Sequence, residues 1–122
     1  MKAIQTLIAA TLLATAALTS PYASAHASLK SSDPQAGATL AAAPKEIALT
    51  FNEKVEAAFS SITLSTNDGK PVTVGKARVD AGNPAILHLD VPALAAGAYT
   101  VKWAVAGHDG HRRTGEYKFS VK

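Results

Sequence analysis

The chain has 122 residues, 48% of them hydrophobic and 17% charged, with a net charge of +3, the composition of one ordinary globular domain. The basic excess is scattered, with only Arg112 and Arg113 adjacent, so the dense cationic stripe with interleaved aromatics of a nucleic-acid surface is missing. There is no cysteine, which excludes a disulfide scaffold and any thiolate metal site.

In chain order, the first element predicted is a secretory leader. Lys2 supplies a positive start, an apolar stretch runs from Ala3 to Leu18, Pro21 breaks the helix, and Ala23-Ser24-Ala25 is a small-x-small cleavage site. Gln5, Thr6, Thr11 and Thr15 interrupt the stretch, which falls short of the ~20 apolar residues of a membrane span. Residues 1–25 are therefore expected to be a signal peptide, followed by an exported domain at 26–122 with no membrane span. Cleavage would remove Met1, the only methionine, and make His26 the first residue. The exported domain would then contain no sulfur, and its stability would come from an apolar core.

The exported part reads as short alternating segments between turn signals. In Glu46 to Phe51 the apolar Ile47, Leu49 and Phe51 recur at every second position, and Ile62 and Leu64 do the same. Asn67-Asp68-Gly69-Lys70 is a turn leading into Pro71 to Val74, and Asp80 to Pro84 is a loop leading into Leu87, Leu89 and Val91. Tyr99, Val101, Trp103 and Val105 alternate with polar or small residues, as do Tyr117, Phe119 and Val121. No stretch carries a helical period. About seven strands at the ~8 to 12 residue spacing of sandwiches predict an all-β Greek-key β-sandwich or barrel.

Several conspicuous residues fit that fold without a further role. Trp103 sits among valines, as a core residue does. Tyr99, after Ala95-Ala96-Gly97, has the placement of a tyrosine corner. His88 and Asp90 share a face opposite Leu87 and Leu89, which suits an i, i+2 ligand pair but also the polar outer face of any strand.

The segment Gly107-His108-Asp109-Gly110-His111 lies between two patterned strands, on the kind of loop that carries chemistry. If extended, Asp109 and His111 point the same way and His108 the other, with Gly110 allowing close approach. A free N-terminal His26 would add its α-amine and its ring nitrogen as a chelate. Nitrogen-rich ligands with one carboxylate suit Cu(II), less well Ni(II) or zinc; Cu(I) would want sulfur ligands.

The runs HASLKSSDPQAGATL, AAPKEIALTFNEKV and LAAGAYTVKWAVAGHDGHRRTGEYKFSV resemble the periplasmic copper-resistance proteins of the CopC type over essentially the whole exported domain. The features that carry the resemblance are His26, the turn of Ser32, Pro34 and Gly37, the stretch of Phe51, Glu53 and Val55, the strand from Gly97 to Trp103, and Asp109-Gly110-His111. The resemblance implies an Ig-like or cupredoxin-like Greek-key fold holding one Cu(II) per chain in the periplasm through His26, Asp109 and His111. Glu53 matches an acid near the site in some relatives, and His108 is a further candidate ligand. It also implies a protein that buffers copper or passes it to an inner-membrane transporter or another copper-handling protein, in copper homeostasis and resistance; the chain is expected to be a monomer and not an enzyme. Some relatives hold Cu(I) in a methionine-rich segment, from which this sequence departs entirely. Two other readings stay open on the residues: a histidine-brace copper oxidative enzyme and a metal-free structural β-sandwich.

Overall fold

Alternation of apolar and polar residues decides which segments become strands and which face each one buries. The computed structural model of the chain describes residues 27–122, so the expected signal peptide and His26 lie outside the described residues. The described strands are β1 (Leu29–Asp33), β2 (Thr39–Leu40), β3 (Glu46–Phe51), β4 (Ser61–Thr66), β5 (Pro71–Val72), β6 (Arg78–Val79), β7 (Ile86–Asp90), β8 (Gly97–Ala106) and β9 (Arg112–Val121), with one 3-10 turn at Ala57–Phe59.

They form two sheets, one of four strands in the order β1-β3-β7-β6 and one of five in the order β2-β9-β8-β4-β5. The architecture is therefore a sandwich and not a closed barrel. The longer segments coincide with the alternating runs in the sequence. The additions to the expected set are β1, whose burial does not alternate, and the two-residue strands β2 and β6, too short to show a period. No helix among the described residues is long and apolar enough to cross a membrane.

The inner faces meet in one core. The four-stranded sheet contributes Ile47, Leu49, Phe51, Leu87 and Leu89, all essentially inaccessible to water, and the other sheet contributes Ile62, Leu64, Val101, Val105 and Phe119. Leu49 lies opposite Leu87 across β3 and β7, and Val101 opposite Tyr117 across β8 and β9. Burial pushes the Tyr117 phenol up to about 12. Phe51 meets Trp103 between the sheets edge-on, with centroids 5.2 Å apart and planes at 74°. The expected tyrosine corner is present: Tyr99 Oη donates to the Ala95 carbonyl at 2.7 Å, tying the β7–β8 connection to the start of β8.

His88 and Asp90 do not act as a pair. Asp90 binds Arg78 at 3.0 Å, and Arg78 also reaches Glu46 at 3.3 Å. The His88 ring is held between Glu46, 3.1 Å from Nδ1, and Asp80, 2.8 Å from Nε2. Both ring nitrogens thus face carboxylates on the outer side of the sheet. Hydrogen bonding to His88, then to the Asn83 and Gly82 backbone, holds the Asp80 carboxyl below its usual range.

Two outcomes follow from these contacts. A carboxyl depressed in the folded state stabilises above its unfolded pKa, and that contribution is lost as pH falls through the folded value. Asp80→Asn is therefore expected to lower stability at neutral pH and to flatten the loss of stability below about pH 4, measured by urea denaturation at a series of pH values. Gly115 lies opposite Trp103, and a methyl there would overlap the indole ring. Gly115→Ala should cost about 1–3 kcal/mol and shift the emission of Trp103, as thermal melts and fluorescence would show.

Candidate metal centre

The hairpin beneath the candidate ligands sets the shape of the turn they occupy. β8 and β9 pair without a break from Gly97 opposite Val121 to Ala106 opposite Arg112, leaving residues 107–111 to reverse the chain. The Gly107 N–H donates to the His111 carbonyl at 3.2 Å, and the Gly110 N–H donates to the Gly107 carbonyl at 3.0 Å. Gly110 takes φ 81°, in the left-handed region that favours glycine.

The expected connecting loop is thus a tight turn and not an extended stretch, yet Asp109 and His111 still come together. Asp109 Oδ1 accepts the His111 backbone N–H at 3.1 Å, and Oδ2 lies 2.8 Å from His111 Nδ1. This is the local side-chain-to-backbone closure that aspartate makes in turns, extended to the ring two residues on. In a neutral imidazole so placed, Nδ1–H donates to the carboxylate and Nε2 carries the lone pair, the orientation used by metal-binding histidines.

Glu53 joins this pair from a different strand end. Val55 forms an isolated antiparallel bridge with Gly107, and the Glu56 N–H donates to the Ala106 carbonyl at 3.0 Å, laying this segment against the turn. Glu53 Oε1 is buried with no hydrogen-bond partner among the described residues. A side chain at Gly107 would overlap that same oxygen and come within 3.4 Å of Asp109 Oδ1. Two carboxylates therefore converge on space that glycine leaves open, beside an imidazole. A buried carboxylate oxygen without a partner is costly, and a cation or an N–H donor at this spot would answer it.

The described residues do not complete a metal site: among them, no group of three or more His, Asp or Glu is arranged to hold an ion. Asp109 and His111 supply one oxygen and one nitrogen. The described chain nevertheless enters the fold next to this acid. Ala27 is fully buried, the Ser28 N–H donates to Asn52 Oδ1 at 2.7 Å, and the Asn52 N–H returns to the Ser28 carbonyl at 3.0 Å, one residue before Glu53. His26, the remaining candidate ligand, lies outside the described residues.

His108 stands apart from the pair. It lines a cavity of about 650 Å³ together with Glu56, Phe59, Ser60 and Arg112. Sequence reasoning did not find this cavity, nor Asn52 as the anchor of the chain entry. Both depend on the way residues 52–60 fold back on the hairpin, for which the sequence offers no periodic signal.

A family profile described as the CopC domain matches residues 29–122. The chain is 39% identical over 110 residues to protein YobA of Escherichia coli strain K12, covering 88% of each. It is similar to the crystal structure of CopC from Methylosinus trichosporium OB3b, with TM-score 0.76 and 41% identity over 80% of this chain and 94% of that one. It is also similar to the crystal structure of PcoC, a methionine-rich copper resistance protein from Escherichia coli, with TM-score 0.73 and 36% identity over 80% of this chain and 100% of that one. The family profile spans nearly all of the described residues and both structures share the two-sheet fold, so the chain belongs to the CopC domain family.

Proposed function

We propose that this protein binds one Cu(II) ion in the periplasm through the α-amine and ring of His26, the ring of His111 and the carboxylate of Asp109, and that it buffers or carries copper in copper homeostasis and resistance. The observation that carries the reading is the Asp109–His111 pair held beside a Glu53 oxygen that has no hydrogen-bond partner among the described residues. Membership of the CopC family supports it, as does the likeness to PcoC, a copper resistance protein.

The donor set favours Cu(II). Two ring nitrogens, an amine and a carboxylate are borderline to hard ligands, and Cu(II) heads the affinity order of the divalent ions for such sites. Beyond Met1 the sequence has no methionine and it has no cysteine, so the soft ligands that favour Cu(I) are not supplied. Glu53 then acts beside the ion, accepting a hydrogen bond from a ligand or lending its negative charge. The copper is cargo: the domain holds it without catalysis, as a monomer, and yields it to a membrane transporter or another copper-handling protein. Residues 1–25 serve as the export signal whose removal creates the amine.

A competitive Cu(II) titration tests this with the chain beginning at His26 and the same chain retaining Ala25. One equivalent should bind, and the extra residue should weaken binding on the order of 100-fold or more, because the amine becomes a peptide nitrogen. Equal affinity would mean that internal groups hold the copper. His111→Ala should weaken binding at least about as much, and affinity should fall between about pH 8 and about pH 5 as protons compete for the nitrogen ligands.

A further inference from the structure

The turn at 107–111 has two sides. On one, Asp109 and His111 bond to each other near Glu53; on the other, His108 forms part of the wall of the 650 Å³ cavity. The cavity also takes in Gly107 and Gly110, so a single turn of backbone separates it from the candidate metal centre. Its other charged and aromatic lining residues are Arg112, Glu56 and Phe59, with Ser60 and Ser61 beside them.

Phe59 is the one large hydrophobic side chain exposed among the described residues, at 66%. It ends the 3-10 turn Ala57–Phe59, none of whose residues is buried, so core packing does not account for it. A lone exposed hydrophobic side chain is ordinary on a protein surface. Here, however, it shares a concave site with an imidazole and a guanidinium directly behind a metal-binding turn, the mixture of apolar wall and few polar groups found in small-molecule sites.

Cu(II) strongly favours mixed nitrogen and oxygen ligands, so where amino acids are present it travels as their chelates. Such a chelate brings a carboxylate for a guanidinium and a side chain for an aromatic ring. We propose that this cavity is the loading side of the metal centre: it takes Cu(II) as an amino-acid chelate, with Arg112 holding the chelator's carboxylate, Phe59 packing on its side chain and His108 forming the first protein bond to the ion. The inference rests on the Cu(II) reading of Asp109 and His111.

The step is a ligand exchange without redox change. A His108 ring nitrogen donates its lone pair to Cu(II) as a carboxylate oxygen of the chelator leaves the metal with its own electron pair and stays with Arg112. The ion then moves across the turn: a His111 ring nitrogen and an Asp109 carboxylate oxygen donate lone pairs to it as the His108 nitrogen leaves with its own. The chelator's amine leaves the metal with its lone pair and takes up a proton from water. Glu56 on the cavity wall supplies negative charge that favours the arriving cation.

The experiment mixes the chain beginning at His26 with Cu(II)–phenylalaninate by stopped flow, following the quenching of Trp103, the only tryptophan, and repeats this with Cu(II) chloride in a weakly coordinating buffer. Arg112→Gln should slow loading from the chelate about tenfold, the loss expected of one charge-assisted contact, while leaving uptake from Cu(II) chloride no slower. Removing a positive charge slows uptake of a cation only if that charge holds an anion. Phe59→Ala should slow chelate loading alone, and His108→Ala should slow loading from both sources. Wild-type chelate loading in Arg112→Gln and His108→Ala, or equal slowing of both sources by Arg112→Gln, overturns the loading site while leaving the copper centre in place. If the wild-type chain takes up no copper from either source, the underlying Cu(II) reading falls and the loading site with it.

Discussion

The unbroken pairing of β8 with β9 is the constraint on which the rest depends. Ten residues of each strand are locked in register, and their inward side chains, from Tyr99 to Val105 and from Tyr117 to Val121, supply much of the core. Because burial fixes which face each residue occupies, the register cannot slip by one without turning that core to solvent. The turn at 107–111 inherits this rigidity: its closing hydrogen bond and its two inner positions are determined by strands that the core holds in place. Candidate ligands on so short a reversal are positioned before any ion arrives.

The second fixed element is the return of residues 52–56 against that turn. Phe51 anchors it in the core against Trp103, the Val55 bridge aligns it with Gly107, and Glu53 is left facing the turn. The absence of a side chain at Gly107 is what allows a carboxylate so close to the backbone. The same segment fixes the chain entry through Asn52 and Ser28, and its continuation through Ala58 and Phe59 forms part of the wall of the cavity lined by His108. One segment thus joins the acid, the chain entry and the rear cavity.

The fold was largely legible in the sequence because half-buried strands write their burial as alternation. Glu46 to Phe51 and Tyr99 to Val105 state their inner faces directly, and Tyr99 after a glycine announces its corner. β1, β2 and β6 were not legible, the first because its burial follows no period and the others because two residues cannot show one. At the site, Asp109 and His111 were found together, but for a reason other than strand geometry: the aspartate closes a turn onto its neighbour's backbone and ring. The lack of a partner for Glu53 Oε1 among the described residues and the placing of His88 between two acids were illegible, since each depends on groups brought from distant parts of the chain.

The His88 cluster shows why similar residues make a structural contact in one place and a candidate binding site in another. Around His88 each carboxylate is answered within the fold: Glu46 and Asp90 share Arg78, Asp80 takes two backbone N–H groups, and both ring nitrogens face oxygens. Around Gly107 two carboxylates converge, and the Glu53 oxygen has no hydrogen-bond partner among the described residues. Burying a carboxylate oxygen without a donor opposes folding, so a cation bound there would offset the desolvation of Glu53, and its binding would be linked to the stability of this end of the sandwich.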